Sequence, residues 1–293
     1  MGTPIRRVRL VLPSSPVPDP AALEAGVAWL RARGVDVLPP LDGGQGPLAH
    51  LAGSDEHRAA ALLSALEEPQ VDAVWCGRGG SGALRTLDAL DAVSVAALAR
   101  SPARPLIGLS DATALLLSRH RCAGLAVHGP VITQLTRLDE ASQEALLAWL
   151  NDPQTPPALA GRAGQGRAEG PLVAGNLALL SSVCGTPEQP DLSGRLLLLE
   201  EIGEPTYRVD RMIAQLARAG ALEGLRGLAL GTFEGCHETV ETCLIQWAER
   251  LGVPWCAGLP VGHGAACVPV VLGVEYTLDG VAGQLTPSGL VQR

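Results

Sequence analysis

Short apolar runs alternate with helical patterns through the first half of the chain, and this alternation constrains the fold more than any other feature. The apolar runs cover residues 8–12, 35–38, 71–76 and 106–109. Between them, helix-type patterns cover residues 21–33, 55–66 and 82–90. Such alternation predicts a parallel sheet covered by helices. We therefore expect residues 1–150 to form an α/β domain with flavodoxin-like or Rossmann-like layering.

The composition changes in the middle of the chain. Residues 151–170 are rich in Pro, Gly, Gln and Ala, which favour turns over regular elements, so this segment is predicted to be a linker. Beyond it, strand-like runs become more frequent; they include residues 195–199, 227–230, 268–272 and 275–278. We expect residues 171–293 to form a β-rich, mixed second domain.

The overall composition is typical of a soluble intracellular enzyme. The chain has 293 residues, of which 47% are hydrophobic, so it can bury a large core. Its formal net charge is −8, and it has only one Phe and two Tyr, so we expect no nucleic-acid partner. We find no run suited to a signal peptide, and none approaches the ~20 apolar residues of a membrane span. We therefore expect no membrane partner.

The seven cysteines are an odd number and lack the CxxC spacing of metal sites. Most lie in apolar surroundings, where a small hydrophobic side chain is sufficient. We interpret them as reduced thiols of a cytoplasmic protein.

Ser110 is the first candidate for chemistry, because it follows a buried strand and precedes a helix. Such a sharp turn exposes the hydroxyl at the sheet edge and brings backbone N–H groups of the new helix beside it, where they can hold an oxyanion. The backbone N–H of Asp111 is one such donor. The alternative is that the Ser110–Asp111 pair simply caps the helix.

A glycine-rich turn at residues 77–82 follows another strand and is predicted to lie at the same sheet edge. Its glycines formally match a dinucleotide-binding pattern, but no acidic residue follows at the spacing that a ribose requires. We favour a close backbone approach to substrate, with one N–H of the turn completing an oxyanion hole. An ordinary tight turn is the alternative.

A carboxylate pair and a histidine complete the candidates. Glu200 and Glu201 leave a predicted strand, and adjacent strand residues point to opposite faces, so at most one of them should face a given site. His263 lies between two glycines, which leave its ring accessible, as a general base requires. A solvated turn for the glutamates and an ordinary surface histidine remain the alternatives.

Taken together and in order, these motifs resemble the LD-carboxypeptidases of peptidase family S66, which include murein tetrapeptide carboxypeptidases and microcin C immunity proteins. The resemblance covers nearly the whole chain. Its markers are Pro13-Ser14-Ser15, residues 53–58, residues 78–83, Gly108-Leu109-Ser110-Asp111, His128-Gly129-Pro130, Gly175-Asn176-Leu177, Leu199-Glu200-Glu201, residues 207–211 and Gly262-His263-Gly264.

The resemblance implies a triad of Ser110 as nucleophile, His263 as general base and Glu200 as orienting acid. The backbone N–H groups of Gly80 and Asp111 match the family's oxyanion donors. The implied reaction is hydrolysis of the amide between an L-centre and the terminal D-alanine of a cytoplasmic muropeptide. It implies no metal and no other cofactor, a small peptide substrate and a homodimer.

Two other functions remain open from the sequence. An immunity-type relative would cleave the amide of a peptidyl or aminoacyl nucleotide, for which Trp75 or Trp255 could supply aromatic surface. A non-catalytic protein that binds a small ligand is the alternative from another class. One departure affects substrate preference: Ser81 stands where many relatives carry a tyrosine. Arg78 could face a substrate carboxylate or form a structural salt bridge.

Overall fold

The computed structural model describes residues 2–41, 48–90, 98 and 104–291. Within these ranges the chain forms one six-stranded and one eight-stranded sheet. The first five strands pair in parallel in the order β2-β1-β3-β4-β5. They are β1 (Arg7–Val11), β2 (Asp36–Leu38), β3 (Ala73–Cys76), β4 (Leu106–Gly108) and β5 (Ala126–His128).

Helices connect these strands, as the alternating pattern predicts. They are α1 (Pro20–Arg31), α2 (Asp55–Glu67), α3 (Ala83–Asp88), α4 (Thr113–Arg121) and α5 (Glu140–Asn151), with 3-10 helices at Ser110–Ala112 and Ile132–Arg137. The side chains of Asp19, Ser54 and Asp139 accept N–H groups at the starts of α1, α2 and α5. Short polar residues at these boundaries satisfy N–H groups that have no partner inside the helix.

The second sheet is mixed and has the order β6-β14-β13-β8-β9-β10-β11-β7. Its strands are β6 (Leu159–Ala160), β7 (Arg162–Gln165), β8 (Arg167–Asn176), β9 (Leu196–Ile202), β10 (Gly227–Glu234), β11 (Trp255–Ala257), β13 (Glu275–Asp279) and β14 (Gln284–Pro287). Helices α6 (Leu177–Ser182), α7 (Thr206–Arg218) and α8 (Val240–Leu251) accompany it. The predicted fold class, a parallel α/β domain followed by a β-rich mixed domain, is therefore confirmed.

The structure corrects the prediction of a linker at residues 151–170. Residues 152–158, Gly161 and Gly166 lie outside regular elements, and residues 159–170 contain β6, β7 and the start of β8. β6 and β7 are the two edge strands, and Gly161 alone separates them, so the sheet curls until its edges meet. β6 has only two residues, and β7 is mostly polar and contains a glycine, so both strands give a weak side-chain pattern and depend on backbone hydrogen bonds.

Residues 268–272 extend the first sheet, although they lie in the part of the chain that is predicted to form the second domain. Strand β12 (Val270–Val271) instead pairs with β5, antiparallel, as the sixth strand of the first sheet. Its two valines are completely buried there. The chain that follows His263 therefore returns to the first domain and ties the two sheets together.

Candidate active site

Ser110 stands on a strained turn at the end of β4. Its backbone φ is 64°, a left-handed conformation that residues other than glycine rarely adopt. Gly108, two residues earlier, allows the turn, because a Cβ there would lie 2.7 Å from the Ala112 side chain. The side chain of Ser110 is half-buried at the sheet edge. A strained serine between a strand and a helix is the geometry of a nucleophile elbow.

The glycine-rich turn lies directly against Ser110. A Cβ at Gly79 would lie 2.8 Å from Ser110 Cβ and 3.1 Å from Oγ, so only glycine allows this approach. Gly80 has a φ of 108°, which also favours glycine. Among the described residues, neither the Gly80 N–H nor the Asp111 N–H donates to a protein acceptor. Two unpaired donors thus flank the serine, as an oxyanion hole requires.

Side chains that the sequence reasoning left out hold these two turns together. The buried carboxylate of Asp111 accepts the Ala83 N–H at 2.7 Å, so the residue after Ser110 caps helix α3. Ser15 Oγ, in the loop after β1, accepts the Ser81 N–H at 3.0 Å. In the sequence, only the presence of Ser15 in the family marker Pro13-Ser14-Ser15 pointed to a role for this residue. The two predicted oxyanion donors therefore sit on turns that are bonded to each other and to a third strand end.

The carboxylate and the histidine meet on the other side of the domain boundary. Glu200 is completely buried on β9, and its Oε2 lies 2.6 Å from Nδ1 of His263. Glu201 points the other way, as strand geometry predicts. Its carboxylate accepts a hydrogen bond from Nδ2 of Asn176 at 2.8 Å. It accepts a second from the N–H of Ala178, at the start of α6, at 2.7 Å. Glu200 thus binds His263, whereas Glu201 binds the chain at the start of α6.

The surroundings of His263 tune its proton affinity. Burial disfavours the charged ring, but the hydrogen bond and charge of Glu200, with the charges of Glu201 and Glu234, raise its pKa above the ordinary value. The pKa of Glu201 is raised as well, chiefly by burial. A histidine whose Nδ1 binds a carboxylate presents Nε2 as the base. Nε2 of His263 is buried and unpaired among the described residues.

Two sets of hydrogen bonds cross the domain boundary close in sequence to Ser110 and His263. Gln134, from the first domain, donates Nε2 to the carbonyls of Gly262 at 3.1 Å and Gly264 at 2.9 Å, which flank His263. Thr113, three residues after Ser110, accepts the N–H of Asn176 at 3.1 Å. No hydrogen bond joins Ser110 Oγ to His263 within the described ranges. Such bonds are often long in free enzymes and shorten when substrate binds.

A buried histidine that the sequence reasoning treated as ordinary also belongs to this site. His128 ends β5 and has no exposed surface, and its Nε2 lies 4.0 Å from Glu200 Oε1. Burial lowers its pKa to about 4, with the charge of Glu200 acting against that shift and His263 reinforcing it. In the sequence, only its presence in the family marker His128-Gly129-Pro130 pointed to a role for His128.

Arg78 makes no ion pair among the described residues. Its Nη1 donates to the carbonyl of Pro16 at 2.6 Å, and the side chain is half-buried. The structural salt bridge considered from the sequence is therefore absent from the described structure. The guanidinium keeps further N–H donors beside the Gly80 turn.

Three further features concern the described part of the chain: metal ligands, long apolar helices and disulfides. No group of three or more His, Cys, Asp or Glu side chains there has an arrangement that could hold a metal ion. No described helix combines the length and the apolar character needed to cross a membrane. All seven cysteines lie within the described ranges, and none of them forms a disulfide.

The fold is a two-sheet α/β fold, with the strained Ser110 on one side of the domain boundary and the Glu200–His263 pair on the other. Residues 8–129 match the LD-carboxypeptidase N-terminal domain, and residues 169–278 match the LD-carboxypeptidase C-terminal domain. The chain therefore belongs to the LD-carboxypeptidase family, peptidase family S66, and the resemblance seen in the motifs is confirmed. Its activity class is that of a peptidase.

Relatives and solved structures agree with this assignment. The chain is 35% identical to the murein tetrapeptide carboxypeptidase of Pseudomonas aeruginosa, over 94% of this chain and 93% of that protein. The crystal structure of muramoyltetrapeptide carboxypeptidase from Oxalobacter formigenes superimposes with a TM-score of 0.84 and 29% identity, over 95% of this chain and 97% of that one.

A third comparison concerns the microcin C7 self-immunity protein. Its structure superimposes with a TM-score of 0.85 over 99% of this chain and 98% of that chain, at 18% identity. At this level of identity the likeness shows a shared fold.

Proposed function

We propose that this protein is a serine LD-carboxypeptidase that removes the terminal D-alanine from a cytoplasmic muropeptide tetrapeptide. The observation that carries the proposal is the 2.6 Å contact between Glu200 and His263, opposite a strained serine on the other domain. The names of the relatives from Pseudomonas aeruginosa and Oxalobacter formigenes support the substrate class.

In the proposed mechanism, Ser110 Oγ attacks the carbonyl carbon of the scissile amide and passes its proton to Nε2 of His263. The N–H groups of Gly80 and Asp111 stabilise the oxyanion that forms. Glu200 keeps the Nδ1 proton in place and stabilises the charged imidazole. His263 then gives its proton to the departing amine, which leaves as D-alanine, and an ester to Ser110 remains.

Water completes the cycle. His263 removes a proton from the water, the resulting hydroxide attacks the ester carbonyl, and the same oxyanion donors stabilise the second intermediate. Collapse of this intermediate returns the proton to Ser110 Oγ and releases the tripeptide. No step in this sequence uses a metal or another cofactor.

Hydrolysis of an aminoacyl-nucleotide amide is the second candidate, because the microcin C7 self-immunity protein has the same fold and was solved with glutamyl sulfamoyl guanosine. The tryptophans considered from the sequence do not support base stacking. Trp75 is completely buried and donates Nε1 to the carbonyl of Pro130. Trp255 is half-buried and packs against the backbone at Gly164. A binding protein of another class would have no use for a strained serine and a paired base.

The decisive assay is mass-spectrometric detection of D-alanine released from L-Ala-γ-D-Glu-meso-diaminopimelate-D-Ala. The isomer with terminal L-Ala and an aminoacyl sulfamoyl adenosine are tested in parallel, with and without EDTA. We expect release from the D-terminal peptide alone, unaffected by EDTA. Hydrolysis of the nucleotide instead would support the second candidate, and no turnover of either would favour the binding protein.

Ser110→Ala tests the nucleophile within the same assay. We expect turnover to fall by at least about a thousandfold while peptide binding persists, because only the attacking oxygen is lost. Ser182→Ala is the matched control, since the Ser182 hydroxyl is exposed and bonds only to the Ala178 carbonyl of its own helix. Full activity in Ser110→Ala would contradict the proposed mechanism.

The homodimer implied by the family resemblance is part of the proposal. Light scattering coupled to size-exclusion chromatography should give about twice the chain mass of 30.2 kDa. A mass of a single chain at assay concentrations would exclude it.

A further inference from the structure

His128 lies where the two domains and the candidate triad meet. It ends β5, and its register partners are Gly108 of β4, two residues before Ser110, and Val270 of β12. The side chain is completely buried. It therefore occupies the space between the strand that carries the serine and the chain that returns from His263.

Three polar atoms in this space have no hydrogen-bond partner among the described residues. They are Nδ1 and Nε2 of His128 and Oε1 of Glu200, all of them inaccessible to solvent. A buried polar atom without a partner costs about 1–3 kcal/mol, and more when it is charged. Because Nε2 and Oε1 lie 4.0 Å apart, a shift of about 1 Å would bring them to hydrogen-bond distance.

We propose that His128 is a positioning residue for the triad: its Nε2–H donates to Oε1 of Glu200 and holds the carboxylate so that Oε2 faces Nδ1 of His263. The inference rests on the proposed function, in which Glu200 orients the base. One carboxylate is then shared by two imidazoles, each of which binds a different oxygen.

The pKa values of the two rings are shifted in opposite directions, and this difference suits the arrangement. His128 is neutral at neutral pH because burial lowers its pKa to about 4. A neutral ring donates a hydrogen bond without competing for the negative charge of Glu200. That charge is left to stabilise His263, whose pKa is raised by it.

The titratable groups that act on this cluster come from β9, from the end of β10 and from the segment between His263 and Cys267. Glu200 comes from β9, His263 from the loop after β11, and Cys267 from the start of the return to β12. Glu201 and Glu234 add negative charge to His263 from β9 and from the end of β10. The pKa of Cys267 is raised by burial to about 12, so this thiol stays neutral. Glu200 is thus the anion nearest to His128.

The direct test is the tautomer of His128, read from its ring 15N shifts between pH 5 and pH 9. We expect a neutral ring over this range, with the proton on Nε2. A proton on Nδ1, or a protonated ring at neutral pH, would overturn the proposal. This measurement uses the wild-type protein and needs no turnover, so it decides the proposal even if the peptide assay fails.

Substitutions supply the functional test. His128→Phe removes both ring nitrogens, His128→Gln places an amide N–H near the position of Nε2, and His128→Asn places one near Nδ1. We expect kcat to fall at least about tenfold in the Phe and Asn variants, with KM nearly unchanged, because only orientation of the base is lost. His128→Gln should restore most of the activity.

The pKa of His263 separates this role from a merely structural one. When Glu200 is no longer held, its contact with His263 weakens, so the pKa of His263 should fall in His128→Phe and be restored in His128→Gln. NMR titration of His263 gives this value without turnover. His120→Phe is the matched control, because the His120 ring packs against Gly273. An unchanged pKa and unchanged kcat in His128→Phe would overturn the proposal.

Discussion

At the scale of single residues, the site depends on which way neighbouring side chains point. Glu200 and Glu201 are both buried, yet one binds His263 and the other binds the backbone at the start of α6. The alternation of strand side chains explains this division, because successive residues face opposite sides of the sheet. Two adjacent carboxylates can therefore have separate roles without competing for one partner.

The charge of Glu200 should set the pH dependence of the reaction. His263 acts as a base only when neutral, so kcat/KM should rise with pH through the pKa of His263, which lies above the ordinary value of about 6.5. Glu200→Gln removes the charge that raises this pKa. We expect the acid limb of the profile to move to lower pH and kcat to fall by roughly ten-thousandfold, because the tautomer is no longer fixed.

The control for this prediction is Glu234→Gln. Glu234 also raises the pKa of His263, but through charge alone, so its loss should move the acid limb slightly and leave kcat nearly intact. An acid limb that stays in place in Glu200→Gln would show that the observed ionisation belongs to another group.

At the scale of elements, the proposed chemistry depends on two turns at neighbouring strand ends. The turn after β3 approaches Ser110 through Gly79, and the turn after β4 returns the carboxylate of Asp111 to the N–H of Ala83. This carboxylate substitutes for a side-chain cap that Gly82, at the start of α3, lacks. The hydrogen bond between Asp111 and Ala83 joins the two turns, so both predicted oxyanion donors lie on one rigid edge of the first sheet.

Gly79→Ala should disable the site through steric contact. Its Cβ would lie 2.8 Å from Ser110 Cβ, so the serine or the turn must shift, and a shift of about 1 Å costs on the order of a hundredfold in rate. Steady-state kcat and the melting temperature would be measured together. We expect a large loss of kcat with a stability loss of about 1–3 kcal/mol.

Gly77→Ala is the matched control, because it lies in the same turn but its Cβ would meet only flexible ends of Leu12 and Leu10. Its kcat should stay close to that of the wild type. Equal losses of kcat in both variants would mean that the turn as a whole is sensitive, rather than its contact with Ser110.

The elements themselves were mostly predictable from the sequence. Helix α2 was expected at residues 55–66 and spans Asp55–Glu67, and α1 was expected at residues 21–33 and spans Pro20–Arg31. Their caps and apolar spacing are local features. The sequence does not predict the edge strands, because the two residues of β6 and the mostly polar residues of β7 form strands only when the rest of the second sheet supplies hydrogen-bond partners.

At the scale of the whole molecule, the candidate triad is assembled across the contact between the two domains. Ser110 belongs to the first sheet, whereas Glu200 and His263 belong to the second part of the chain. Gln134 and the return of β12 to β5 hold the His263 segment against the first domain. Catalysis in the proposed mechanism therefore depends on how the two domains are packed.

Gln134→Ala should weaken the contact between the two domains next to His263, the proposed base. It leaves the carbonyls of Gly262 and Gly264 without their donor, which costs about 1–3 kcal/mol of stability, and it frees the backbone on both sides of His263. We expect kcat to fall at least about tenfold. Thermal unfolding and steady-state kinetics would measure the two effects.

The matched control is Gln143→Ala. Its amide also donates to a backbone carbonyl, that of Leu138, but within the first domain and away from His263. It should lose stability without a matching loss of kcat. The role assigned to Gln134 would be excluded if the two variants had the same kcat.

The sequence by itself determined the alternation of strands and helices, the family, and the identity of the candidate residues, because spacing, caps and ordered motifs depend on neighbours along the chain. Only the tertiary structure decided that Glu201 binds Asn176 and the backbone of Ala178, that His128 lies beside Glu200, and that β12 joins the first sheet. These outcomes depend on burial and hydrogen bonding between residues far apart in sequence. The local hydrophobic periodicity of a segment does not depend on such distant partners, so it cannot predict them; they meet only in the folded chain.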